Sequence, residues 1–270
     1  MRGLISKSAR ESALLTVGLA LGASFAMGSI TFVVPQLASG LQEFMLAVPF
    51  IRGMVSAMMG VDIGPDLTIT TMLSVLWTHP VVLALVSTHA IVLCARYPAG
   101  EIDRGTIDIL LGWPVSRREV WRAHTLVWML SGAIVVVAGL AGYGLATLSL
   151  AAEARPPAAG VLMAAVNLFA LYLAVGAATL LASSLSSRQT HATAAGFLVV
   201  IGSFLLNFLV PYWNVADALS FLGLMEYYRP AVILRDGAFP TADVAVLVSI
   251  AIALWIAGME ITARRNVMTT

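Results

Sequence analysis

The sequence predicts an all-α integral membrane protein with six transmembrane helices, a short surface helix at the N-terminus, and extra helices in the loops on both sides of the bilayer. Three observations carry this. The chain is 60% hydrophobic and only 11% charged, against roughly 25% charged in soluble domains, and its mean hydropathy is +0.93. The apolar residues gather in uncharged runs close to the roughly 20 residues that a bilayer core demands. The charged residues fall between those runs, most densely in one island at 96–121. A water-soluble fold of this length has no interior large enough to hide so much apolar surface.

Taken in order, Arg2, Lys7, Arg10 and Glu11 come first, with Leu4, Ile5 and Ala9 spaced to lie on one side of a short surface helix. The first span, 13–34, is too long for the apolar region of a signal peptide, normally about 7–15 residues. Its Gly18 and Gly22 form a pair of small residues suited to close helix contact. In the external segment 36–70, Leu37, Leu41, Phe44, Val48, Ile51, Val55 and Met58 step by four and three. That spacing predicts an amphipathic helix or helix pair, bent near Pro49. The second span, 71–95, carries His79, Pro80 and His89, and the third covers 124–148. A Glu153-Ala-Arg-Pro-Pro connector leads to the fourth, 161–183. Ser186-Ser-Arg-Gln-Thr-His is the turn into the fifth, 192–210. The external segment 211–243 includes Trp213, Tyr227, Tyr228 and Arg229; its stretch from Phe221 to Leu234 is semi-apolar and reads as an external or half-inserted helix. The last span is 244–261, closed by Arg264 and Arg265.

The island at 96–121 interleaves Arg96, Arg104, Arg117 and Arg118 with Glu101, Asp103, Asp108 and Glu119. Ile102, Thr106, Ile109, Leu110 and Trp113 recur at steps of three and four, so a short amphipathic helix is expected, ended by Trp113-Pro114. Ser116-Arg-Arg-Glu119 is a capping-box sequence for the next helix. A short helix held between two spans is shaped to dock on a soluble partner.

Six spans place both termini on one side. With that side cytoplasmic, it receives Arg2, Lys7, Arg10, the island's arginines, Arg122, Arg188, Arg264 and Arg265, while the far side receives only Arg52, Arg155, Arg229 and Arg235, as the positive-inside rule requires. A multi-pass protein of the inner cell membrane follows.

Several chemistries are disfavoured. No Asp, Glu, Lys or Arg lies mid-span, whereas ion-coupled carriers usually place charged relays there. Lys7 is the sole lysine and no Gly-x-x-x-x-Gly-Lys occurs, so the chain carries no P-loop and nucleotide binding would fall to another chain. A single cysteine, Cys94, excludes an internal disulfide and a cysteine metal cluster. His79 and His89, ten residues apart, do not share a helix face as paired ligands would, and Met54, Met58 and Met59 read as packing. Small residues such as Gly22-Ala-Ser24 read as packing surface too, not as a nucleophile site. No catalytic residue, cofactor, metal or nucleic-acid partner is expected in this chain. Asn167 and Asn207 are the only carboxamides well inside spans; interhelical hydrogen bonding is the first reading and cavity lining the second. Two rivals to a partner-driven transporter stand beside it. An ATP-independent carrier or channel needs a polar pathway not visible here, and a membrane scaffold has no need of a docking helix.

The island carries a more specific signal. Glu101-Ile-Asp-Arg-Gly-Thr-Ile-Asp-Ile-Leu-Leu-Gly-Trp-Pro-Val-Ser-Arg117 resembles the Glu-x-x-x-Gly-Thr-x-x-x-Leu-Leu-x-x-Pro-hydrophobic-Ser-Arg signature of type 2 ABC transporter permeases, matching at Glu101, Gly105, Thr106, Leu110, Leu111, Pro114, Ser116 and Arg117. The stretch from Leu219 to Gly237 looks like that family's external segment before its last span. The resemblance implies six transmembrane helices with an N-terminal elbow helix, working as a homo- or heterodimer of permeases with two ATPase subunits that hold the ATP and Mg. It also implies that the first cytoplasmic loop forms a coupling helix inserted in an ATPase cleft. On that footing Ile102, Thr106, Ile109 and Leu110 are expected to anchor in the cleft, and Asp103, Arg104 and Asp108 to make polar contacts at its rim. Pro114 and the cap at Ser116 would pass the movement into the third span. Gly18, Gly22, Gly196 and Gly202 are expected at the permease–permease interface, and the cargo is expected to be apolar or amphiphilic and exported.

Overall fold

The structure, a computed structural model, describes residues 2–37, 53–57, 69–112 and 114–265, with single positions at 40, 43, 47 and 48. Most of the segment 36–70, where an amphipathic helix or helix pair is expected, and Trp113 lie outside the described residues. All regular elements among those described are helical, and six of the helical segments are long and apolar enough to cross a membrane. The principal helices are α1 (Arg2–Val33), α2 (Ile69–Thr78), α3 (Pro80–Ala95), α4 (Arg117–Thr147), α5 (Ala158–Leu185), α6 (Gln189–Leu209), α7 (Pro230–Asp236) and α8 (Thr241–Arg264).

The N-terminal surface helix is not a separate element. α1 runs unbroken from Arg2 through the apolar run to Val33. No proline or turn sequence separates the basic segment from the span, and Lys7 and Glu11, 3.3 Å apart one turn on, support the helix across the junction.

The second span is broken where the sequence puts Pro80. Proline has no N–H to give, and the next donor, Val81 N–H, turns to His79 Nδ1 at 3.3 Å. The His79 side chain thereby caps α3. The Trp77 carbonyl is taken instead by the Tyr228 hydroxyl at 2.8 Å, from the segment 211–243 far along the chain. Unpaired backbone groups are too costly to leave in an apolar interior, so this break dictates where residue 228 must sit.

α5 is the central helix, packed against α3, α4, α6 and α8. Asn167, Ala174, Val175, Ala177, Thr179, Leu180 and Ser183 are all inaccessible along it. The closest helix crossing lies elsewhere, between α1 and α4. A Cβ on Gly142 would stand 2.0 Å from the Ser24 carbonyl oxygen, and one on Gly139 would stand 2.7 Å from Met27 Sδ. Lipid supplies no hydrophobic drive between helices, so close approach of this kind is what holds them. Trp128 and Tyr172 close a second glycine contact, at Gly176 and Gly132 respectively.

One polar thread crosses this core. The Tyr172 hydroxyl donates to the Trp128 carbonyl at 2.9 Å. Its oxygen therefore accepts from His89 Nδ1, 3.0 Å away. His89 Nε2 is then left to accept from the Thr16 hydroxyl at 3.1 Å. A neutral histidine with its proton on Nδ1 fits all three bonds, and the thread joins α1, α3, α5 and α4.

Candidate functional site

The island does not form the single amphipathic helix that its spacing predicts. It forms two one-turn helices, Glu101–Asp103 and Ile107–Leu111. Between them Gly105 takes φ +66°, a left-handed conformation that glycine adopts without a Cβ penalty and that ends a helix. Gly105 N–H and Thr106 N–H return to the Ile102 and Glu101 carbonyls at 3.0 and 2.9 Å, closing the first turn. The break rotates the second turn. Ile107, outside the expected apolar stripe, points inward at 2% exposure, whereas Ile109 stands 69% exposed. Ile102 and Thr106 are half-buried and Asp108 is exposed.

Upstream, the chain leaves α3 through Arg96–Gly100, where Tyr97 is extended (φ −130°, ψ 131°), as the residue before a proline is biased to be. Downstream, Pro114 is exposed and Ser116 forms the expected capping box with Glu119, starting α4.

Glu101 is the centre of the loop. Its side chain is 8% exposed and accepts from Lys7 Nζ at 3.0 Å and from an Arg104 guanidinium nitrogen at 3.4 Å. The Thr106 hydroxyl also bonds the Glu101 carboxylate. A carboxylate so nearly buried is tolerable only with such charged and hydrogen-bonded partners. Arg96 adds a second tie to α1, donating to the Glu11 carbonyl at 2.7 Å. A cleft of about 520 Å³ opens between the start of α1 and the loop, lined among others by Leu4, Lys7, Arg96, Arg104 and Ile109.

Asp103 and Arg104, expected at the rim of a partner's cleft, both bond within the chain. Asp103 Oδ2 accepts from Gln189 N–H at 3.1 Å, and Arg104 donates to Gln189 Oε1 at 3.3 Å. The same end of the molecule is tied by other arginines. Arg117 donates to the Thr262 carbonyl at 3.4 Å and to the Arg265 carbonyl. Arg265 reaches the Ser184 and Ser186 carbonyls at 3.0 and 2.7 Å. Arg118 pairs with Glu260 at 2.8 Å.

The remaining residues singled out by sequence divide in two. Gly196 is used inside the chain, where a Cβ would meet Thr179 Oγ1 at 2.5 Å, and Gly22 faces Leu85 at ordinary contact distance; Gly18 and Gly202 face open space. Asn167 is inaccessible; it donates to the Tyr227 carbonyl at 3.1 Å and accepts from Arg229 N–H at 3.2 Å. Both ends of its carboxamide are therefore spent on the segment 211–243 rather than on a cavity. Asn207 lies 3.5 Å from a Glu226 carboxylate oxygen. Among the described residues no group of three His, Cys, Asp or Glu is placed to hold a metal ion. Sequence reading missed the roles of Lys7 and Gln189. Lys7 is the only lysine, but nothing in its spacing points to a carboxylate 94 positions away.

A family model described as ABC-2 family transporter protein matches residues 54–258, a stretch that contains the whole island and reaches into α8. No curated protein shows significant similarity to the chain.

Proposed function

This chain belongs to the ABC-2 transporter family, and from that premise we propose that it is the membrane-spanning permease subunit of an ATP-driven transporter, worked through the 96–121 loop by a separate ATPase subunit. The observation that carries this is the build of the loop. Its root is fixed by a nearly buried Glu101 held from two sides, while its tip presents Ile109, 69% exposed, beside exposed Asp108. A bare apolar side chain on a short turn, anchored to rigid helices, is the form a docking contact takes. A load applied at the tip reaches the helices through the root.

On this reading the loop end is cytoplasmic, and ATP and Mg sit on the partner. Ile109 and Asp108 meet the ATPase, and Leu110 and Arg117 complete the contact and its connection to α4. The inward rotation of Ile107 moves the docking face from the spaced stripe to the loop's tip. The open faces at Gly18 on α1 and Gly202 on α6 are where a second permease subunit packs. The cargo is apolar or amphiphilic and is exported.

The test is copurification. An ABC-type ATPase should accompany the tagged chain from native membranes and be lost in Ile109→Asp, with the variant's thermal unfolding unchanged. Retention of the ATPase by Ile109→Asp removes the docking assignment. Uphill transport by the purified chain alone removes the need for any ATPase.

A further inference from the structure

We propose that the loop at 96–121 drives the fifth span, α6, through Gln189, and that Asp103 and Gln189 are positioning residues for that movement. The inference rests on the permease reading above and adds to it a route for the stroke. The chain itself connects the loop only to α3 and α4. The link to α4 runs through 112 and 114–116, none of them helical, with Ser116 capping the helix start.

The packed route is shorter. Gly100, at the root, approaches Gln189 so closely that a Cβ would stand 2.9 Å from Gln189 Oε1. Ala95 and Ala99 from the root form a separate buried apolar cluster with Ala192 of α6, each wholly inaccessible. Ala99 N–H donates to Ser183 Oγ at 3.0 Å, at the end of α5 just before the turn into α6. Asp103 then accepts from Gln189 N–H. That N–H is the first of α6, and the local capping position, Arg188, gives no side-chain cap. A carboxylate supplied from the loop thus caps the helix and faces the positive end of its dipole. Arg104 completes the joint on Gln189 Oε1.

Any displacement of the Glu101–Arg104 turn must therefore either carry the first turn of α6 along or break its cap and uncover its buried contacts. Packed interfaces of this kind move as units rather than deform gradually. α6 in turn touches α3 and α5 closely at Gly196, against Ile91 and Thr179, so its tilt changes the packing of the central helices. Polar contacts that the resemblance assigns to a partner are here the linkage between the loop and a span.

The experiment uses the complex of the chain with its ATPase, carrying spin-label pairs on exposed sites: Leu198 with Leu162 for α6 against α5, and Leu130 with Leu162 for α4 against α5. Distances are compared between the nucleotide-free and ATP–vanadate-trapped states. In the parent protein both pairs shift. In Asp103→Ala/Gln189→Ala the α6 shift is lost and the α4 shift stays, while Asp103→Asn, which keeps an acceptor, restores the α6 shift. Where the double variant does not assemble, Gln189→Ala alone serves, since it keeps the backbone cap and removes the Arg104 contact. An α6 shift that survives these changes overturns the proposal, as does a parent protein in which α4 moves and α6 does not. If no ATPase binds, or neither pair moves, the permease reading has failed and this inference falls with it.

Discussion

Replacing Gly142 by alanine tests whether the α1–α4 crossing is as tight as its backbone contacts make it. The added methyl would stand 2.0 Å from the Ser24 carbonyl oxygen, 2.7 Å from its carbon and 2.8 Å from Ser24 Cα. All three are backbone atoms, so no rotamer change relieves them. Ordinary contact needs roughly 3.5 Å, and the helices must part by more than about 1 Å, a gap that forfeits about a quarter to a half of each contact's attraction. The contacts at stake are those of Ala20, Ala23 and Met27 on α1 and Val135, Val136 and Tyr143 on α4, all buried. The cost comes to about 3 kcal/mol, at the upper end of the roughly 1–3 kcal/mol usual for overpacking. Gly144 is the control: it is on the same helix two residues on, and a Cβ there meets nothing within 4 Å. Gly144→Ala should stay within about 1 kcal/mol of the parent, on the stabilising side, because alanine is the better helix former. Reversible unfolding in mild detergent gives both values under one condition. Equal stability of the two variants would refute the claim that backbone proximity holds α1 to α4.

Three further outcomes follow from particular contacts. Asn167→Ala leaves the Tyr227 carbonyl and Arg229 N–H without their partner, a loss of about 1–2 kcal/mol for two half-buried backbone groups; faster protease cleavage between 220 and 229 than in the parent is the local readout. Tyr228→Phe keeps the ring and leaves the buried Trp77 carbonyl without its donor, so a loss of about 1–3 kcal/mol is expected, and no change would mean that the break at Pro80 is satisfied some other way. For orientation, buried Cys94 leaves a background silent to labelling. A membrane-impermeant maleimide applied to intact cells should then modify Glu153→Cys and spare Arg122→Cys, both at exposed positions; the opposite pattern inverts the topology.

The sequence by itself determined the class and the number of apolar helices, because both depend on quantities additive along the chain: hydropathy over a window and the absence of charge within it. It determined the start of α4, because a capping box needs only residues within one turn, Ser116 and Glu119. The signature from Glu101 to Arg117 is likewise local, and the family it indicated is the one whose model matches. Local periodicity failed inside the island, where one left-handed residue, Gly105, reset the helical phase and turned Ile107, which the stripe left out, inward. The run from Arg2 to Val33 failed for the opposite reason, since a change from charged to apolar residues is no helix break without a residue that cannot continue the helix. Tertiary structure alone decided which partner each polar group found. Lys7 meets Glu101, Asp103 caps a helix that begins at Gln189, Tyr228 takes the carbonyl freed beside Pro80, and Gly142 rather than Gly22 bears the tightest crossing. Each of these joins residues far apart in the chain, and the cost of leaving a donor, acceptor or charge unpaired away from water selects such a pairing only once the helices have been brought together.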